Sequence, residues 1–375
     1  MARVKLCDVI VRANTKVDKD NTELIYYVGG EHFESGNVTV ENKGLIAGST
    51  IGPMFYYGFK KGQFLLVSRN PHLRKAGVVD FDGICSEKTF VLESADPSVL
   101  LPEYLPFVLQ NDKFWDYAIE HKHGSTNFFI NWATLANYEF ELPEVSTQKH
   151  IAELAWAAHK LKKSYLNQIL ATDELVKSQF IEMFDNGDFE QKTISELFTL
   201  QMGKTPERKE LKYWDSNDYR WISIADLGSY GKYTADTSEY ISQTAVEKSG
   251  IKIVPKNTVI MSFKLTIGRT AITSEDVYTN EAIMAFLPKT QLFNLDYLMY
   301  ALRYKDWTDG MQIAVKGATL NKDIIGKASL FIPELPLQEK FAAFVEQSDK
   351  SKFELQEAIV RIENFIKSLI QQDTE

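Results

Sequence analysis

Apolar positions step by three and four residues through Ile151, Leu154, Ala158, Leu161, Tyr165, Ile169, Thr172 and Val176. That spacing lines one face of an α-helix. The same steps return 190 residues later at Phe341, Phe344, Ser348, Ser351, Leu355, Ile359, Ile362 and Ile366, an apolar stripe interrupted only by the two serines. Each run opens on a proline-led segment. LPEVSTQKHIAEL from Leu142 becomes IPELPLQEKFAAF from Ile332, so Pro143, Glu144, Gln148 and Ala152 return as Pro333, Glu334, Gln338 and Ala342. A long-period repeat of this kind sets the architecture before any local reading does.

Each helix runs about 35 to 40 residues, roughly 50 to 60 Å at 1.5 Å per residue. Helices so long need a partner to bury their stripe. The simplest partner for one stripe is the other, as a parallel or antiparallel coiled coil within the chain. Two amphipathic helices packed separately, each on its own domain, are the alternative.

Upstream of each helix lie about 140 residues with β-rich runs, QFLLVS over 63–68 and TVIMSF over 258–263. Lys61-Gly-Gln-Phe-Leu-Leu-Val-Ser aligns with Lys256-Asn-Thr-Val-Ile-Met-Ser-Phe, and a Gly-led turn recurs in His123-Gly-Ser-Thr-Asn and Lys316-Gly-Ala-Thr-Leu-Asn. The expected fold is α+β: two pseudo-repeated mixed domains separated by two long helices that pair within the chain, in a cyclic pseudo-twofold arrangement. The boundaries read as domain 1 over 1–145, a central helix over 146–187, domain 2 over 188–335 and a C-terminal helix over 336–375.

Composition narrows this. An apolar fraction of 44% and a charged fraction of 25% fit globular domains. Cys7 and Cys85 support neither a disulfide framework nor a zinc knuckle. No run approaches a signal core or a membrane span, so the expectation is a soluble, cytoplasmic protein in a reducing compartment.

The net charge of −9 speaks against nucleic acid until its distribution is examined. Between Glu41 and Asp80 there is no acid, but Lys43, Lys60, Lys61, Arg69, Arg74 and Lys75. The window between Glu247 and Glu275 is also acid-free and holds Lys248, Lys252, Lys256, Lys264 and Arg269. Matching basic windows suggest an anion-binding face in each domain, with DNA or RNA backbone as the ligand. Buried strands with solvated lysine ends would give the same pattern. Ser68, Asn70 and His72 beside Arg69 and Arg74 have the polar and planar groups that read base edges.

Catalytic signatures are missing. There is no GxGxxG after a strand, no GxxxxGK[ST], HExxH, GxSxG or CxxC. Asn70-Pro71-His72-Leu73 lacks the second proline and ring of an adenine-methyltransferase motif. His121 and His123 have no third metal ligand in view, and Asp80 and Asp82 read as turn residues beside Gly83.

Three features together carry a family resemblance: Tyr26-Tyr-Val-Gly-Gly-Glu-His-Phe-Glu-Ser-Gly, Gly317-Ala-Thr-Leu-Asn-Lys-Asp-Ile-Ile ahead of Phe331-Ile-Pro-Glu-Leu-Pro-Leu-Gln-Glu-Lys, and the two helices. On these the chain resembles the specificity subunit of type I restriction-modification systems over essentially its whole length. It departs from the pattern at GSTNFFINWATL in the first repeat and at Ser146, which stands where the second has Pro336.

The resemblance implies a non-catalytic chain with two target recognition domains. Each would read one half of a split asymmetric site in double-stranded DNA, held apart by the helix pair. It implies docking of two methyltransferase subunits, which carry S-adenosylmethionine, and of restriction/translocase subunits; this chain itself needs no cofactor. A DNA-contacting role passes at region level to Lys60, Lys61, Ser68, Arg69, Asn70, His72, Arg74 and Lys75 in domain 1, and to Lys264, Thr266, Arg269 and Lys316 in domain 2. The spacer role falls on Ile151, Leu154, Leu161, Tyr165, Ile169 and Val176, and on Phe341, Phe344, Leu355, Ile359, Ile362 and Ile366. A structural adaptor whose duplicated domains bind protein is the rival reading.

Overall fold

The computed structural model describes residues 2–185, 187–308, 312–314 and 317–371, with backbone alone over 312–314 and 317–319. Two helices dominate it, α1 over Val145–Phe184 and α2 over Leu335–Gln371. The chain divides into two compact units, Met1–Leu166 with Gln356–Glu375, and Asn167–Leu355. Both are mixtures of sheet and helix, and each takes in part of both long helices.

In the first unit a five-stranded sheet runs in the order Ile10–Ala13, Thr89–Ser94, Phe64–Val67, Ala76–Val79, Thr39–Val40. A second sheet joins Gly44–Leu45, Tyr26–Val28, Gly83–Ser86 and Phe55–Phe59. The second unit repeats the first four places with Phe198–Met202, Ile283–Pro288, Val259–Ser262 and Thr270–Ile272. Each unit also pairs its first strand with the one that leads into its long helix, Ala2–Lys5 with Glu139–Leu142 and Glu190–Thr193 with Ser329–Ile332. The sequence repeat is thus a repeat of topology.

Buried glutamines explain one of the sequence matches. Gln148 is fully buried; its amide donates to the Val99 and Pro143 carbonyls and accepts from Leu101 N–H. Gln338, equally buried, donates to Leu292 and Pro333 and accepts from Asn294 N–H. In each unit one side chain satisfies three backbone groups where the helix leaves the domain, which a buried amide must do to be tolerated.

Within each unit the long-helix segments run antiparallel, which settles the sense that the stripes left open. In the first unit Lys162 meets Glu363 at 2.6 Å, and Ile366, Leu369 and Ile370 join Ile151, Ala152 and Ala155 on the domain core. In the second, Asp173 meets Lys352 at 2.9 Å, and Phe180 and Phe184 pack edge-on against Phe341 at 5.4 and 5.6 Å. Val176, Phe341 and Ile359 are buried, while Tyr165, Ile169, Phe344, Leu355, Ile362 and Ile366 are half-buried.

Leu154 and Leu161 depart from the expected seam, at 36% and 44% exposed. Ile151, Ala152 and Ala155 turn that stretch of α1 toward the domain core. The two leucines are left on the flank, where they line an apolar groove with Ala158, Ile362 and Phe365.

Candidate nucleic-acid interface

The buried strand Phe64–Val67 decides where the first basic window goes. Lys60 and Lys61 are exposed in the turn before it; Ser68 to Lys75 follow it. A four-residue strand separates the two groups by roughly 13 Å, so the window is two clusters rather than one face. Nor is it acid-free in space. Asp82 accepts from the Lys61 N–H at 2.7 Å, and Asp112 lies 2.6 Å from the Arg74 guanidinium, with Asp116 at 3.8 Å.

The turn after the strand is tightly built. Asn70 and Arg74 both take left-handed backbone, at φ 51 and 47, and Asn tolerates that conformation better than most residues. Leu73 N–H donates to Asn70 O, and Arg74 N–H to Pro71 O, around Pro71–Leu73. Ser68 is buried and its hydroxyl donates to Lys88 O, so it supports the turn from within. Lys75 donates to Gly30 O at 2.7 Å. His72 is exposed and Arg69 half-buried, its guanidinium 5.9 Å from the Phe129 ring.

Phe129 belongs to the Gly-led segment, which folds back on itself. His123 and Phe129 exchange backbone hydrogen bonds at 2.7 and 3.0 Å, Asn70 N–H donates to Phe128 O, and Ile130 N–H to Ser68 O. Gly124 is required at the bend: its φ is +92, and a Cβ there would lie 2.6 Å from Asn127 O. Lys122 stands 4.9 Å over the Phe128 ring. The fold thus brings together two motifs more than 50 residues apart in sequence.

The second unit makes the same junction. Leu320 N–H donates to Phe263 O at 2.9 Å, matching the bond from Ile130 to Ser68. The strands Gln312–Ala314 and Gly317–Thr319 form the returning hairpin. Lys264 is half-buried and Thr266 and Arg269 are exposed on the turn, which Gly268 closes at φ +83, while Arg269 donates to Gly228 O. Lys316 lies outside the described residues.

Sequence reasoning missed a second element beside the strand Tyr219–Ile222. Arg208 stacks 3.9 Å from the Trp214 ring and pairs with Glu239. Gly203 starts this loop with no room for a Cβ, which would fall 2.2 Å from Thr279 O. In the first unit it missed Tyr56, Tyr57 and Arg12; the doubled tyrosine in MFYYGF was the available signal. Among the described residues no three His, Cys, Asp or Glu side chains are grouped as a metal would require, and no helix is long and apolar enough to cross a membrane.

Residues 186–364 match the family described as Type I restriction modification DNA specificity domain. The curated relatives to which the chain is similar are specificity subunits of type I restriction enzymes.

Among its relatives, the MjaIX specificity subunit of Methanocaldococcus jannaschii is 26% identical over 166 residues, covering 43% of this chain and 38% of that one. The EcoR124I/EcoR124II specificity subunit of Escherichia coli is 32% identical over 85 residues, 22% of this chain and 20% of that one. The chain spans less than two fifths of the length of the curated relatives it matches.

Solved structures share the fold along the full chain. The S subunit of a type I system from M. genitalium has a TM-score of 0.54 at 13% identity, covering 100% of this chain and 96% of that one. A chain from a study of complex assembly and conformational transition of the type I R-M system reaches 0.61 at 16% identity, with 100% and 97% covered.

Proposed function

We propose that this chain is the DNA-reading, non-catalytic subunit of a restriction or methylation complex, each unit recognising one half of a two-part asymmetric site. The observation that carries the reading is the repeated junction of basic turn and Gly-led segment, tied by the bond from Ile130 to Ser68 in one unit and from Leu320 to Phe263 in the other. Arg69, Asn70, His72, Lys122 and His123 converge there in the first unit, and Lys264, Thr266 and Arg269 form its counterpart. Cations of this kind set register on phosphates while neighbouring planar groups discriminate bases, at about 1 to 3 kcal/mol for a good bidentate pair. Lys60 and Lys61, at the far end of the strand, serve at most as flanking phosphate contacts.

In this reading the paired helices complete a cyclic pseudo-twofold subunit and set the gap between half-sites. Their exposed apolar positions, Leu154, Leu161 and Phe365 around the groove among them, suit docking by two methyltransferase subunits that carry S-adenosylmethionine, with restriction/translocase subunits joining them. Solvated single leucines are ordinary, but a groove lined almost wholly by apolar groups marks an interface.

The experiment is a comparison of methylation patterns in a host with and without this chain, its partner methyltransferase present in both. A two-part motif of fixed gap that vanishes with the chain is the expected result. An unchanged pattern despite a formed complex would favour the protein-binding adaptor.

A further inference from the structure

The strand Ile10–Ala13 sets Arg12 opposite Leu92. In the second unit Phe198–Met202 holds the corresponding edge of the corresponding sheet, with Leu200 opposite Phe286. Leu200 is 6% exposed and belongs to the core there. A guanidinium therefore stands where the duplicate half of the fold is satisfied by a leucine, so packing does not demand it.

Its surroundings give it no other occupation. The Arg12 guanidinium carbon lies 4.8 Å from the Phe90 ring and 5.3 Å from Tyr57. Its Nε is buried with no hydrogen-bond partner, and among the described residues it has neither an ion pair nor a hydrogen bond. Arginine has five donors and no acceptor, and a half-buried one ordinarily finds a carboxylate or carbonyl, because a donor sealed from water without a partner is costly. The nearby Cys85 is no counter-charge, since burial pushes its thiol up to about 12.

The place borders the basic junction. Phe90 touches Trp132 edge-on at 6.0 Å, directly after the Gly-led segment that closes on Arg69. On the other side Tyr57 leans on Tyr56, whose hydroxyl donates to Glu87, while Lys16 lies 5.9 Å from the Tyr56 ring. Aromatic rings and cations thus run from Lys16 through Tyr56, Tyr57, Arg12 and Phe90 to Trp132.

We propose that Arg12 is a specificity-determining residue of the first unit, its guanidinium edge donating to the O6 and N7 acceptors of one guanine in the first half-site. The proposal rests on the DNA-reading function above. Two rings flank the guanidinium, at 4.8 and 5.3 Å from its carbon, and its planar fork of donors is the group that matches that pair of acceptors. A phosphate anchor would serve both halves of the chain alike, yet the second has Leu200.

The test uses the full chain assembled with its methyltransferase, comparing wild type, Arg12→Leu and Arg12→Lys by methylome and by binding to duplexes varied through the first half-site. Arg12→Leu is expected to lose preference for guanine at one position, with cognate affinity falling about 5- to 150-fold, while the second half-site and the gap stay fixed. An unchanged first half-site overturns the proposal. So does a uniform loss on all sequences, which marks a phosphate contact. If Arg12→Leu fails to assemble, Arg12→Lys decides: it keeps the charge but not the fork, and undiminished guanine preference again overturns the assignment. Should wild type itself write no two-part motif, the DNA-reading function fails rather than this residue's part in it.

Discussion

Lys367 lies 2.7 Å from the Asp112 carboxylate, whose other oxygen takes the Arg74 guanidinium at 2.6 Å. Gln371 adds a hydrogen bond at 3.0 Å, and Asn111 donates to Ile370 O. One carboxylate thereby braces the end of α2 and the turn holding Asn70 and His72. Asp112→Ala should leave Lys367 without its partner and Arg74 with Asp116 alone, and destabilise the first unit by about 1 kcal/mol. The first half-site should be read less stringently and the second unchanged, as duplex-binding profiles of the assembled complex would show.

The same carboxylate gives a pH dependence. The Lys367 ammonium first, and then Arg74, hold Asp112 below the usual carboxylate range against the opposing effect of burial. A depressed folded value means stability that is present above the unfolded pKa, about 3.9, and lost as pH falls through the folded one. Urea midpoints of wild type should drop below about pH 4 more steeply than those of Asp112→Asn, and the difference between the two should be constant from pH 5 to 7. Parallel curves down to pH 3 would remove Asp112 from the account.

Gln148→Ala and Gln338→Ala should each cost about 3 kcal/mol, because each strands three backbone groups and leaves a cavity. Denaturant unfolding should show the first acting on the first unit and the second on the other. Glu at either position should not rescue, since a carboxylate cannot donate to the two carbonyls that the amide serves.

Arg69 and Lys60 fall at opposite ends of one strand, and their substitutions should separate. Arg69→Ala is expected to weaken DNA binding and lower the slope of log affinity against log salt by about 1. Lys60→Ala should change that slope by less. Titrations at several salt concentrations check both, and equal slopes for the two variants would disprove the assignment of the face.

The antiparallel pairing changes how the spacer should be lengthened. From Asp173 to Phe184 on α1 the partners retreat by the same eleven residues, from Lys352 to Phe341. Four residues inserted at Ala171 alone should slip this register and weaken assembly. Four more beside Glu354 should restore it, widening the gap in the methylated motif with both half-sites intact. A gap unchanged in the doubly extended chain would end the spacer reading.

The repeat was legible because it is enforced by buried groups: Gln148 and Gln338 recur since each does the same triple bonding, and the strand that ends at the proline before each helix pairs with the unit's first strand. The basic windows were half legible. An acid-free run is a property of sequence neighbours, whereas Asp82, Asp112 and Asp116 come from elsewhere and meet the window only through folding. Leu154 and Leu161 misled for a related reason: a stripe of steps three and four says which residues share a face, not whether a domain or a helix covers it. Arg12 gave no signal, since one arginine in a four-residue strand looks like any solvated position until its duplicate is found to be a core leucine.

The division of the chain has a consequence for biosynthesis. The second unit is one continuous stretch, 167–355, and can complete its core as soon as that stretch has left the ribosome. The first unit needs Ile366, Leu369 and Ile370 to cover Ile151 and Ala155, and these are made only after the whole second unit. The nascent chain therefore carries an open first unit while the later one closes, and the loop to be bridged spans nearly two hundred residues, a slow, entropically costly search. Truncating α2 before Ile366 should strike the unit made first and spare the one made last.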